Sequence, residues 1–232
     1  MKRAALTAVL LAAAPAAQAF EITGGQVELG YSSYTDNLLK KLDKIGINGS
    51  IEVGFSQMFS MQADLVFMNF GFNDADATNF GLHSIYHLSD TTSAGFYFGE
   101  DRVSGGSLSI TGLEIGHQAG MVGLESYLTY AKDSADDGMV FGASAGLNLS
   151  DMAEIGVSYD RIDVDSSKAS RLALTGEYTM GNGFAITGEL GSVDIKGAGS
   201  EPFFGIGGKM TFGADRGATF GERSVLNLLP GL

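Results

Sequence analysis

The residues best placed to do chemistry are glutamates in one recurring phrase. Val27-Glu28-Leu29-Gly30, Ile51-Glu52-Val53-Gly54-Phe55, Leu113-Glu114-Ile115-Gly116, Ala153-Glu154-Ile155-Gly156 and Gly188-Glu189-Leu190-Gly191 each set a carboxylate among apolar residues and beside glycine. In an extended strand, successive side chains point to opposite faces. Each phrase therefore predicts one apolar face and one face that carries an acid next to a gap. Asp64, Glu125, Glu177 and Lys209 fall on the same face at a similar depth, so the predicted ring is Glu28, Glu52, Asp64, Glu114, Glu125, Glu154, Glu177, Glu189 and Lys209. Carboxylates crowded into one narrow lumen repel each other, so some must be hydrated, paired or protonated. A ring of acids is also how cation-preferring pores are built. The alternative is an acid–base network with Lys209, Arg171 and the histidines that fills the interior and makes it rigid. Two basic residues cannot balance eight acids, which favours a wet lumen.

Other candidates carry less. His83 and His87 would converge on a helix, but on a strand they lie about 13 Å apart and cannot share one zinc. His117 stands beside a turn. No metal or cofactor is expected. A hydrolase needs a nucleophile or base–histidine pair near the outer rim. The histidines fall in the middle or at the opposite end of their strands, so the expectation is no enzyme, with an outer-membrane lipid hydrolase as the rival. Asn73-Asp74-Ala75-Asp76-Ala77-Thr78 resembles half a calcium loop, but its sixth position is Asn79 and its twelfth is Ile85 where glycine and glutamate are required. Asp133, Asp136, Asp137, Asp163 and Asp165 make the external rim acidic, for solvation or for divalent ions that bridge to anionic lipid headgroups. Arg161, beside Tyr159, is placed to meet a lipid phosphate.

The elements that must position these residues are strands. Ile45 to Ser56 alternates most cleanly, with Ile45, Ile47, Ile51, Val53 and Phe55 opposed to Gly46, Asn48, Ser50, Glu52 and Gly54. Similar patterns predict twelve strands: 22–34, 45–56, 61–72, 79–88, 92–100, 107–117, 121–131, 139–149, 152–163, 170–180, 184–195 and 203–212. Beyond Asn69 both faces turn apolar and the register is open. The sixth strand changes phase near Gly112, which predicts a bulge. Long connections follow the odd strands and tight turns the even ones, the rhythm of an outer-membrane barrel. Nine to eleven residues at ~3.3 Å each, tilted ~40°, rise about 25 Å, the height of the apolar band. Inward glycines such as Gly46, Gly54, Gly95, Gly99, Gly142, Gly146 and Gly207 widen the interior, or ease strand curvature. A soluble β-sandwich also alternates, but its solvated face is usually rich in Lys, Thr and Arg; here that face is mostly Gly, Ser, Asn and Glu.

Composition agrees. Lys2 and Arg3, the apolar run Ala4 to Ala14 and Ala17-Gln18-Ala19 predict an export signal over 1–19. Its loss takes the net charge from −13 to −15, which argues against nucleic acid as a partner. There is no cysteine, hence no disulfide.

Together these features resemble the small porin-like barrels of Gram-negative outer membranes, over about residues 20–213. The resemblance implies an all-β, antiparallel up-and-down transmembrane barrel with both termini in the periplasm, a narrow lumen and passive passage of small cations or solutes. It also implies outer-membrane lipids, lipopolysaccharide and the barrel-assembly machinery as partners. Gly207-Gly208-Lys209-Met210-Thr211-Phe212 resembles the family's last-strand assembly signal. The chain departs from the family by running on to Leu232. Either residues 214–232 fold back near the periplasmic mouth or Phe220 marks the true end; the expectation is a short mobile periplasmic tail. A non-conducting structural barrel remains the rival to a channel.

Overall fold

The computed structural model describes residues 21–35, 43–71, 75–103, 105–165, 167–213 and 218–228. The predicted export signal and the Leu38-Leu39 stretch lie outside these. Twelve strands form: β1 Glu21–Tyr34, β2 Asp43–Ser56, β3 Phe59–Phe70, β4 Ala75–Ser89, β5 Thr92–Val103, β6 Gly106–Ala119, β7 Val122–Lys132, β8 Asp137–Ser150, β9 Ala153–Val164, β10 Ser167–Thr179, β11 Phe184–Ile195 and β12 Gly199–Phe212. Each pairs antiparallel with its neighbours, and β1 pairs with β12 to close the barrel. Closure leaves no sheet edge to hydrogen-bond a neighbour.

The period-two alternation sorts side chains as the sequence predicts. Leu113, Leu174 and Leu190 point outward and are 65–66% exposed, whereas Val66, Ile85, Tyr97 and Ile110 point inward and are 0% exposed. A sandwich core would bury the first group. Here the outward side chains form a continuous apolar belt, the surface that a barrel presents to hydrocarbon. No helix among the described residues is long and apolar enough to cross a membrane, which says nothing of the strands.

The strands reach further than their alternation alone predicts. β4 starts at Ala75, so most of the calcium-like loop is strand; β5 runs to Val103 and β9 to Val164. Backbone pairing continues wherever both partners are extended, whatever the side-chain polarity. The strict long–short rhythm is therefore corrected: connections 104–105 and 165–166 are as short as the turns 57–58 and 120–121 at the other end. β12 takes in Pro202, whose carbonyl accepts the Thr35 N–H at 2.9 Å.

Two further corrections share one cause. β6 keeps its register through Gly112 without a bulge. The change of phase there is real in side-chain chemistry: Ile110 points inward and packs with Tyr97, Tyr127, Ala131, Val140 and Ile162, with Leu108, Val225 and Leu228 against them. Likewise the end of β3 is apolar on both faces because Val66, Met68 and Phe70 point inward and pack with Ala77 and Leu226. Both patches lie inside the barrel and are covered by the C-terminal segment.

That segment is the largest departure from expectation. β12 ends at Phe212, and Gly213 follows with φ of 102°, a conformation that favours glycine. Residues 218–228 then lie inside the barrel, not outside it as a tail. They climb from the turn end of the lumen at Thr219 to a short 3-10 turn, Val225–Leu228, near the other end.

Candidate luminal site

The predicted ring faces the lumen, but the structure divides it into two walls. On the first wall stand Glu52, Asp64, Glu114 and Glu125, and the C-terminal segment is hydrogen-bonded to three of these acids. Glu52 Oε2 accepts the Thr219 N–H at 2.9 Å and the Thr219 hydroxyl at 2.5 Å. Gln62 reads the backbone of Phe220 at both ends: its Oε1 accepts the N–H at 3.1 Å and its Nε2 donates to the carbonyl at 2.8 Å. Glu125 accepts from the Gly221 N–H and from Arg223, which also donates to Glu114 Oε2 at 3.1 Å. Higher up, Asp101 accepts the Val225 N–H at 2.9 Å, and Lys44 Nζ donates to the Leu226 and Asn227 carbonyls at 3.1 and 3.2 Å.

His83 organises this wall. Its Nε2 lies 2.6 Å from Asp64 and its Nδ1 2.6 Å from Glu114, and all three side chains are fully buried. Phe220 stacks on its ring at 6.2 Å and 18°. His87 contacts Ser60 and Ser93, at 3.0 and 2.8 Å. His117 meets Thr92 at the turn end, at 2.9 Å.

The second wall, from β9 through β12 to β1 and β2, holds Glu28, Glu154, Glu177, Glu189 and Lys209. Lys209 pairs with Glu177 and lies directly across from Glu28 on the neighbouring strand. Arg171 pairs with Glu189 and with Asp160, the latter at 3.4 Å. Thr187 donates to Glu28 at 3.1 Å. Sequence reasoning missed Arg223 as a third luminal cation, because nothing local to residue 223 marks it as inward. It also missed Asp101, Lys44 and Gln62, which fall outside the repeated phrase.

The inward glycines do something more specific than widen the interior. In the registers, Glu114 lies across from Gly95, Glu125 from Gly116, Asp64 from Gly81 and Glu189 from Gly205. A Cβ at Gly95 would lie 2.6 Å from Glu114 Oε1 and 2.8 Å from the Phe220 ring; one at Gly205 would lie 2.7 Å from Glu189 Cγ. The glycine beside each acid gives a neighbouring long side chain room to lie across the wall.

Among the described residues, cavities remain along the lumen. One of about 390 Å³ runs along the second wall and reaches Glu222 and Asn227 of the C-terminal segment. Another, of about 520 Å³, opens at the turn end between Asp90, Gln118, Glu125 and Thr219. Glu154 lines both, so they adjoin. At the far end of the second wall, Tyr34, Val193 and Phe203 pack into the lumen with Ala173. On the loop between β7 and β8, the Asp136 and Ala135 N–H groups bind Asp133 and hold its carboxyl below the usual range.

No protein-family model matches the chain, and no curated protein matches its sequence. Solved structures do match. The KdgM porin, in a complex with disordered oligogalacturonate, superposes with a TM-score of 0.62 at 10% identity over 81% of this chain and 99% of that one. The NanC porin gives 0.60 at 12% identity over 80% and 98%. An outer-membrane channel from Pseudomonas putida F1 gives 0.55 at 10% identity over 83% and 96%. The chain thus has the fold of the small porin-like outer-membrane β-barrels.

Proposed function

We propose that this barrel passes small hydrophilic solutes passively across the outer membrane, with a preference for cations, through the half of its lumen that the C-terminal segment leaves free. One observation carries the reading: the cavity along the second wall adjoins the cavity at the turn end, at Glu154. Its lining sets Glu28, Glu154, Glu177, Glu189 and Glu222 against Lys44, Arg171 and Lys209. An acidic excess favours cations, and the pairs Arg171–Glu189 and Lys209–Glu177 moderate it. The same excess argues against a polyanionic sugar such as the oligogalacturonate bound by the KdgM porin. With twelve strands, the start of β1 and the end of β12 share the turn end, which we read as periplasmic. Lipopolysaccharide and lipids would meet the apolar belt and the acidic rim.

Planar-bilayer recording of refolded protein tests this. Wild type should conduct, with a reversal potential that favours cations in a salt gradient. Glu154→Gln and Glu189→Gln should each weaken that preference. A second reading, a closed structural barrel, is favoured by the packing of Tyr34, Val193 and Phe203 into the lumen. A silent bilayer with well-folded protein would decide for it.

A further inference from the structure

Arg223 meets a receptor built by two adjacent strands. Its Nε donates to Glu114 Oε2 at 3.1 Å, its Nη2 donates to Glu125, and its Cζ lies 4.3 Å from the centroid of the Tyr127 ring. Two carboxylates at the edges of a guanidinium and an aromatic ring on its face are the contacts that this group makes best. The receptor is held in place from behind. Glu114 Oε1 is bound by His83 at 2.6 Å, and the Tyr127 hydroxyl donates to Asp160 at 2.9 Å. The Arg223 side chain is 5% exposed and that of Glu114 0%.

The rest of the segment is held mainly through its backbone: the Thr219, Phe220, Gly221 and Val225 N–H groups and the Phe220, Leu226 and Asn227 carbonyls. Arg223 forms the segment's ion pairs with Glu114 and Glu125 of the wall; Glu222 bonds within the segment, to Asn227 at 2.6 Å, and lines the same cavity as Lys44.

We infer that Glu114, Glu125 and Tyr127 form a guanidinium-binding site that the chain fills with its own Arg223, so that the C-terminal segment is a tethered plug and free alkylguanidinium cations are competing ligands. The cavity at the turn end reaches Glu125 and gives such a ligand its approach. A short tether keeps Arg223 at an effective concentration on the order of millimolar, so a free competitor is best detected where Arg223 has been removed. The inference does not depend on conduction: a barrel that binds alkylguanidinium but stays silent keeps it and loses the channel reading.

The absence of cysteine permits a clean test in the full-length chain. Ser224 is 1% exposed, so Ser224→Cys places one thiol under the docked segment. In vesicles, a water-soluble maleimide should label it slowly. Adding Arg223→Ala should speed labelling at least about tenfold, since it removes the segment's charged partner from buried Glu114 and half-buried Glu125. Ethylguanidinium at tens of millimolar should then restore protection, and ethylammonium, which lacks the planar fork, should not. Glu125→Gln, which keeps side-chain size, should also speed labelling. Circular dichroism confirms the strand content of each variant. Unchanged labelling in both variants, or equal rescue by ethylammonium, overturns the inference.

Discussion

His83 carries a carboxylate on each ring nitrogen, both at 2.6 Å, and none of the three side chains reaches water. Its cost and its value both follow from that burial. The ring bridges the two acids, and an apolar replacement removes that bridge from a dry site, leaving Asp64 with Gln62 and Glu114 with Arg223 as their remaining partners. His83→Leu should therefore destabilise the barrel by about 3–5 kcal/mol, read as a lower urea midpoint for unfolding from lipid vesicles. His117→Leu, at an exposed position beside the turn, should change stability by no more than about 0.5 kcal/mol. Gly95→Val makes a different prediction at the same scale. Its branched side chain would occupy the space of the Phe220 ring and of Glu114, so the C-terminal segment should lose its seat while the strands still pair. The reporter thiol at position 224 should then label faster, with the circular dichroism spectrum unchanged.

At the scale of the strand, the alternation of apolar and small polar residues carries most of the fold. It predicts twelve strands, their order and the face that meets hydrocarbon, because the side-chain period of two is set by the backbone itself. Strand ends are less legible: Asp101 and Lys168 look like loop residues, yet they remain in register with Leu108 and Asp163. The site is legible only in part. The inward direction of Glu114 follows from its strand, but its partners His83 and Arg223 lie 31 and 109 residues away in sequence. The inward apolar residues Met68, Phe70 and Ile110 break the pattern for a reason that only the C-terminal segment supplies. The belt itself makes a depth-dependent prediction. Leu190→Arg, in mid-strand and 66% exposed, should cost about 2–4 kcal/mol in a bilayer, against about 0–1 kcal/mol for Leu88→Arg near a strand end. Equal costs in unfolding from vesicles would mean that the belt does not sit in hydrocarbon.

For the molecule as a whole, the lumen holds two obstructions on opposite walls. The C-terminal segment fills the side of β3 to β8, and Tyr34, Val193 and Phe203 narrow the other side near the end away from the turns. Phe203 pairs directly with Tyr34 across β1 and β12, and Arg171 lies 5.0 Å from its ring centroid. Whether these act in parallel or in series is a question of geometry that conductance can read. If the segment and the aromatic cluster block separate halves, Phe203→Ala and Arg223→Ala should each raise single-channel conductance, and the increments should add in the double variant, as distant and independent sites do. If both obstruct one path, neither change alone should raise conductance much, and the double variant should exceed the sum. The two cavities, which share Glu154 as a lining residue on the second wall, favour the parallel outcome: if they connect, the second-wall half leads to the turn end, and opening its far end should not require the plug to move.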